Sequence, residues 1–219
     1  MKTLWSYLLI CLLGMSFDVS ASSCIDVGRA PAIGNISSLM DVVEVEKTTS
    51  KLHFSGVINK SSINRLIKRL DKIIKKNQGT NQEIVLTLNS GGGDINETIR
   101  AVKYMRELSQ NPLIKIHTKV NSYSDCESAC TILFTGGAKR FASERSRFGF
   151  HSPKYEKGKL NGMTPKEVEE RYRRIWLSYV AMVDQETANL VESRGYLLDQ
   201  DMSYISGRNL NTGYVTDLL

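Results

Sequence analysis

Histidine, proline and tryptophan are scarce in this chain of 219 residues, which contains 3 His, 4 Pro and 2 Trp. Three histidines leave little room for a His-rich metal site, and we expect neither a bound metal nor a cofactor. Four prolines beside 16 glycines exclude a collagen-like chain and a Pro-rich linker. The sequence has no internal repeat and no low-complexity tract, and its hydrophobic fraction of 41% excludes a disordered chain. One domain of ordinary size is therefore expected.

A long run of apolar residues occurs at the N-terminus and nowhere else in the sequence. It extends from Leu4 to Phe17 behind a positively charged start, and the small residues of a cleavage site follow and end at Ala21. We therefore predict a signal peptide over residues 1–21, an N-terminal extension over 22–50 and the main domain over 51–219. The protein is expected to be periplasmic or secreted, with no membrane span after cleavage, or membrane-anchored if the segment is not cleaved.

Strands and helices alternate along the rest of the sequence. Each β-rich run precedes a segment whose apolar residues recur at the spacing of one helical face. Because parallel strands are joined by crossover helices, this order predicts a parallel sheet with helices on its faces. The predicted strands cover 52–58, 83–89, 113–120 and 148–150, and the predicted helices cover 63–74, 95–105 and 128–134. A long helical region is predicted over 164–194.

The first predicted helix has an apolar face and a strongly basic face. Such a helix can bind anionic lipid or nucleic acid, but it can equally be the solvated outer face of a packed helix. The lack of aromatic residues for base stacking favours the solvated face, and no nucleic-acid partner is predicted. The polar face carries one acid, Asp71, and the basic residues Lys60, Arg65, Lys68, Arg69, Lys72, Lys75 and Lys76.

Three loops that follow predicted strands carry residues suited to chemistry. Residues 89–93, Asn-Ser-Gly-Gly-Gly, would leave backbone N–H groups free to bind an anion or an oxyanion, although a tight turn has the same composition. Ser128 opens an apolar helix, where it is either an N-cap or a nucleophile followed by the N–H of Ala129. His151 lies at a strand exit, where catalytic groups collect in parallel sheets.

These motifs and two further segments resemble the proteolytic subunit of the Clp protease. The segments are Gly-Gly-Ala-Lys-Arg-Phe at 136–141 and Ser-Arg-Phe-Gly-Phe-His-Ser-Pro at 146–153. The resemblance covers residues 50–155 and resumes at 201–217. It implies a Clp-protease/crotonase-like α/β fold, with a parallel sheet of repeated ββα units and flanking helices. It also implies a serine-type endopeptidase that acts on a peptide or protein substrate.

The resemblance assigns a catalytic triad by position. Ser128 would be the nucleophile, and His151 would be the general base that removes its hydroxyl proton. The acid that orients the imidazole would be Asp201, which precedes Gly213 by the spacing that the family keeps. Asp199 is the alternative acid.

The same resemblance assigns the oxyanion hole to two backbone N–H groups. The donors would be Gly92 and Ala129, with Gly93 as the alternative to Gly92. One departure lies in this loop, because Gly91 replaces the family's proline and makes the loop more flexible.

An exported chain would differ from the family in its partners. The family works with an ATP-driven unfoldase inside the cell, so an exported member would be an ATP-independent branch; a homo-oligomer is left open. Residues 154–183 either cover the cleft or mediate subunit contact. Two alternatives remain: a Ser–Lys peptidase resembling signal peptide peptidase A, and a non-catalytic protein that keeps the fold and binds a peptide or an anion.

The cysteines of the mature chain are concentrated around the predicted nucleophile. Cys126 and Cys130 stand two residues before and after Ser128, and this spacing allows a disulfide if the first cysteine precedes the helix. Either cysteine could instead pair with Cys24, and free buried thiols are the remaining alternative. An oxidising compartment favours a bridge.

Overall fold

The computed structural model describes residues 47–153 and 162–219. Within these residues strands and helices alternate, as the sequence predicts. The predicted signal peptide, most of the N-terminal extension and Cys24 lie outside the described residues. The strands are β1 (Lys47–Ser55), β2 (Asn81–Asn89), β3 (Ile114–Val120), β4 (Asp125–Glu127), β5 (Arg140–Ala142), β6 (Arg147–Phe150), β7 (Ser203–Ser206) and β8 (Asp217–Leu218). The helices are α1 (Lys60–Lys76), α2 (Ile95–Leu108), α3 (Ala129–Phe134), α4 (Pro165–Ala181) and α5 (Gln185–Ser193), and a 3-10 turn covers Gly207–Leu210.

The main sheet has five strands in the order β1-β2-β3-β5-β8, and every neighbouring pair in it is parallel. In β2 every second residue is buried (Gln82, Ile84, Leu86 and Leu88), and the residues between them are half-buried. The β2 sequence without clean alternation suggested burial on both faces, whereas the structure buries one face fully. The reason is that residues such as Val85 and Thr87 are tolerated on a partly covered face.

A second, smaller sheet consists of β4, β6 and β7. Strands β4 and β6 are parallel, and β6 pairs with β7 in the antiparallel sense. Single bridges extend this sheet toward the first part of the chain, joining Ser90 to Cys126 and Ile58 to Gly93. Four of the five main strands, β1, β2, β3 and β5, are therefore followed by a segment in or bridged toward the smaller sheet and then by a helix, which is the repeated ββα unit that the resemblance implies.

Aromatic side chains fill the space between the smaller sheet and the helices. Phe134 of α3 contacts Phe148 and Tyr214 with ring centroids 5.0 and 5.2 Å apart. All three side chains are almost completely buried. Buried aromatic pairs contribute about 0.5–1.5 kcal/mol beyond the area they cover, so this cluster anchors the short helix α3 firmly.

The helical region predicted over 164–194 is confirmed, but the structure divides it into two helices. Helix α4 ends at Ala181, and Asp184 begins α5 by accepting hydrogen bonds from the N–H groups of Glu186 and Thr187. The apolar pattern continues across the break, so periodicity alone could not reveal it. None of the helices in 47–153 and 162–219 is long and apolar enough to cross a membrane.

Candidate active site

Ser128 stands at a sharp turn between strand β4 and helix α3. Its backbone has φ 52° and ψ −124°, a conformation that residues other than glycine rarely adopt. Its N–H donates to the carbonyl oxygen of Gly149 at 2.8 Å, and its own carbonyl accepts from the N–H of Thr131 at 3.0 Å. The side chain makes no capping hydrogen bond to α3. The main chain is therefore fixed on both sides of Ser128, and its hydroxyl does not cap the helix. A sharp turn between a strand and a helix carries the nucleophile in many hydrolases.

A disulfide joins the residues that flank this turn. Cys126 in β4 is bonded to Cys130 in α3, with Cα atoms 5.1 Å apart, and both residues are fully buried. This is the pairing that the spacing predicted first. The disulfide joins the residues two before and two after Ser128, so it links the end of β4 to the first turn of α3.

The glycine-rich loop after β2 packs directly against the Ser128 turn. Gly92 has φ +87°, and a β-carbon on it would lie 2.7 Å from both the carbonyl oxygen of Glu127 and the β-carbon of Ser128. Only glycine fits at this close approach. The N–H of Gly92 donates to the hydroxyl of Ser90 at 3.1 Å.

The next glycine, Gly93, lines the cleft beside Ser128. It has φ +142°, and a β-carbon there would collide with the carbonyl oxygen of Ile58. Ala129 lines the same cleft from the start of α3, where the first N–H groups of a helix have no partner within the helix. The loop and the helix start thus bring the three predicted oxyanion-hole residues to the Ser128 turn.

His151 follows strand β6 and lines the same cleft as Ser128. Its Nδ1 atom is buried. The N–H of Ser152 donates to the carbonyl oxygen of Asp199 at 2.6 Å, which attaches the exit of β6 to the segment that carries both candidate acids. Asp201 is exposed, and its N–H donates to the carboxylate of Asp199 at 3.0 Å.

The cleft has an empty volume of about 430 Å³ out to its open mouth. Three of its wall residues come from α4, namely Tyr172, Arg173 and Trp176. Trp176 donates its indole N–H to the hydroxyl of Thr131 at 2.7 Å, which fixes α4 to α3. The described part of the segment 154–183 therefore forms one wall of the cleft.

Arg173 brings no free charge into this cleft. Its guanidinium is paired with Glu170 at 2.8 Å and with Glu192 at 2.9 Å. The apolar wall residues Ile95, Ile132 and Leu197 were not singled out from the sequence. Each belongs to an ordinary apolar pattern, and nothing in that pattern distinguishes a cleft wall from the core.

The other two histidines differ from His151 in their surroundings. His117 lies in β3 and accepts a hydrogen bond on Nδ1 from the N–H of Lys139 at 3.1 Å. Burial lowers the pKa of His117, so its neutral form is favoured. His53 lies in β1 with its side chain exposed, away from the cleft.

Comparison with solved structures identifies the fold. The structure is similar to the crystal structure of the ClpP protease catalytic domain from Plasmodium falciparum, with a TM-score of 0.57 and 17% sequence identity over 77% of this chain and 84% of that chain. No protein-family model matches the sequence. No curated protein matches it either. The Clp-protease-like α/β fold is thus confirmed.

Proposed function

We propose that this chain is an exported serine endopeptidase that hydrolyses peptide bonds without ATP. The observation that carries the proposal is the Ser128 turn. There the backbone is strained, the serine hydroxyl does not cap helix α3, and Ser128 lines the same cleft as His151. Strain of this kind persists where the surrounding structure holds it, and it concentrates at active sites. The likeness to a protease catalytic domain supports the same class of reaction.

The reaction needs a base, an acid and donors for the developing charge. His151 would take the hydroxyl proton as Ser128 attacks the peptide carbonyl, and would return it to the leaving amine. Asp201 would hold the imidazole in the required tautomer, with Asp199 as the alternative. Water would then release the acyl group from the serine by the same route in reverse.

We assign the oxyanion hole to the N–H groups of Gly93 and Ala129. Gly92 is the weaker of the two glycine candidates, because its N–H already donates to Ser90. A donor that must leave another hydrogen bond cannot be preorganised for the transition state. A well-placed donor lowers the barrier by roughly 3–4 kcal/mol.

Two features support the export part of the proposal. The N-terminal sequence has the pattern of a signal peptide. The structure contains the Cys126–Cys130 disulfide. Disulfides form and persist in oxidising compartments and are rare in cytosolic proteins. A homo-oligomer, which the resemblance left open, stays a prediction that sedimentation of the purified chain measures.

Labelling with a fluorophosphonate tests the proposal. We expect a covalent adduct on Ser128, mapped by mass spectrometry, and its loss in Ser128→Ala with an unchanged melting temperature. The matched control is Ser122→Ala, since Ser122 is exposed and outside the cleft. A folded chain that acquires no adduct and releases no product from a peptide library would instead be the non-catalytic binding protein.

The Ser–Lys alternative has less support. Among the described residues that line the cleft there is no lysine, whereas a histidine lies there. A Ser–Lys enzyme would keep its labelling rate in His151→Gln. The triad proposed here predicts that the same variant labels at least about 100-fold more slowly.

A further inference from the structure

The positive charge of this protein is concentrated on one helix. Seven basic residues and one acid give α1 a formal charge of +6, which equals the net charge of the whole chain. The remainder of the sequence is therefore balanced. We define the basic face as the exposed residues Arg65, Lys68, Arg69, Lys72, Lys75 and Lys76.

In the described part of the chain the basic residues of α1 form no ion pair, and Arg65 donates a hydrogen bond within its own helix, to the hydroxyl of Ser61 at 2.8 Å. Within 47–153 and 162–219, cations elsewhere such as Lys47, Arg147 and Arg208 form ion pairs with acids, but no residue of the basic face does. The one acid of the helix, Asp71, accepts a hydrogen bond from the hydroxyl of Tyr104. Lys75 and Lys76 stand in the last turn, where a cation interacts favourably with the helix dipole. Six cations without an ion pair on a helix about 25 Å long nevertheless repel one another, so the cluster as a whole costs the fold stability.

The opposite side of α1 fixes how the basic face is presented. Ile63, Leu66 and Leu70 are at most 5% exposed and belong to the core. The helix therefore cannot roll over and insert apolar side chains into a bilayer. The polar face of α1 can therefore contact a membrane only at its charged surface, without insertion into the hydrocarbon.

A polar groove adjoins the N-terminal half of the basic face. It lies between α1 and β1, the strand at the edge of the main sheet, and has an empty volume of about 540 Å³ out to its mouth. Its lining includes His53 and Ser55 from β1 together with Arg65 and Arg69 from α1. Arginine and hydroxyl groups are the donors that bind a phosphate group well.

We propose that the basic face of α1 docks this protein on a membrane surface rich in anionic phospholipid, with a phosphate headgroup in the groove beside Arg69. A cluster of lysines and arginines on an amphipathic helix is typical of binding to such surfaces. A flat lipid surface suits a straight row of cations, and the face has no aromatic residue to stack on nucleic-acid bases. This surface is separate from the active-site cleft and goes beyond the proposed hydrolase activity.

Sedimentation with vesicles tests the proposal. The purified chain is mixed with phosphatidylcholine vesicles that contain or lack phosphatidylglycerol, at low salt and at about 0.5 M salt, where charges are screened within a few Å. We expect binding that requires phosphatidylglycerol and is lost at high salt. Equal binding to neutral vesicles, or no binding to either, would overturn the proposal.

Two triple variants separate the basic face from overall charge. The first variant changes to glutamate three lysines along one side of α1 (Lys68→Glu, Lys72→Glu and Lys75→Glu). The matched control changes to glutamate three exposed lysines elsewhere (Lys103→Glu, Lys139→Glu and Lys166→Glu), with the same change in net charge. We expect the first set to weaken vesicle binding at least about tenfold and the control set to weaken it far less. Equal losses would show that only net charge matters and would reject the docking face.

Arg69→Gln tests the groove and guards against misfolding of the triple variant. This single change removes one exposed charge, and we expect it to weaken binding about threefold or more. DNA and polyphosphate serve as competing ligands at equal phosphate concentration. If the chain binds these and not the phosphatidylglycerol vesicles, its partner is a soluble polyanion and the lipid proposal is wrong.

Discussion

Gly92 lies so close to Ser128 that a β-carbon on the glycine would be 2.7 Å from the β-carbon of the serine. The two residues come from different ββα units, and their contact joins the glycine loop to the Ser128 turn. Because Gly92 has no β-carbon, the β-carbon of Ser128 can lie against it, and a larger residue at position 92 would displace the serine side chain.

Replacing Gly92 by alanine should displace Ser128. We expect the rate of fluorophosphonate labelling to fall at least about 100-fold, because a shift of about 1 Å in a reacting group costs that much. The matched control is Gly79→Ala: Gly79 has φ +86°, against +87° for Gly92, but no atom lies within 4 Å of its β-carbon position. Both variants lose about 1–2 kcal/mol of stability from the backbone. Equal labelling rates in the two would show that the close contact is not needed.

Removing the Cys126–Cys130 bridge should slow labelling and lower the melting temperature. The double variant Cys126→Ala/Cys130→Ala is expected to lose about 2 kcal/mol of stability, a modest figure because the closed loop is short. The freed turn would also let Ser128 relax from its strained backbone conformation. A reducing agent should slow the native chain and leave the double variant unaffected. An unchanged labelling rate after complete reduction would mean that the aromatic cluster alone holds the turn.

Two single variants decide which acid would serve His151 in the proposed triad. Asp201→Asn should lower kcat about 10³-fold or more, because an amide cannot stabilise the imidazolium in the required orientation. Asp199→Asn is the companion variant, since Asp199 lies in the same segment and already accepts the N–H of Asp201. If Asp199→Asn abolishes activity and Asp201→Asn spares it, the acid is Asp199.

Asp184 should make the stability of this protein depend on pH. Burial alone would raise the pKa of this carboxyl, but hydrogen bonds from Thr187, Thr212 and Tyr214 lower it below the usual 3.8. A carboxyl whose pKa is lowered by folding stabilises the folded state above its unfolded pKa, and this contribution is lost as the pH falls through the lowered value. We therefore expect unfolding by urea to become easier below about pH 4.

Asp184→Asn should lower the free energy of unfolding by about 1–3 kcal/mol at neutral pH. The Oδ2 atom accepts from the hydroxyls of Thr187 and Thr212 and from the N–H of Tyr214. An amide nitrogen in that place would face three donors. The variant should also depend less on acid pH than the native chain does. Glu186→Gln, an exposed neighbour, is the control; a comparable loss there would argue against the hydrogen-bond explanation.

The parts of the site that follow strands were predictable, and those that depend on distant contacts were not. The glycine loop directly follows the predicted strand 83–89, and Ser128 comes after the predicted strand 113–120, so their place at one edge of the sheet follows from topology. The break before Asp184 was missed, because it depends on bonds to Thr212 and Tyr214 far along the chain. Strands β5 and β8 were missed for another reason: with 3 and 2 residues they are too short for an alternating pattern.

Main-chain bonds connect the segments that carry the proposed active site. The Ser128 N–H binds the carbonyl of Gly149, and the Ser152 N–H binds that of Asp199. Such bonds do not depend on which side chain a residue has, except where glycine is required for space. Substitutions can therefore accumulate throughout the chain while the geometry persists, which accounts for a fold recognisable at 17% identity. If the proposed peptidase activity is correct, the wall residues other than Gly93, Ser128 and His151 can change while these bonds hold, and substrate preference is the property that we expect to change most readily.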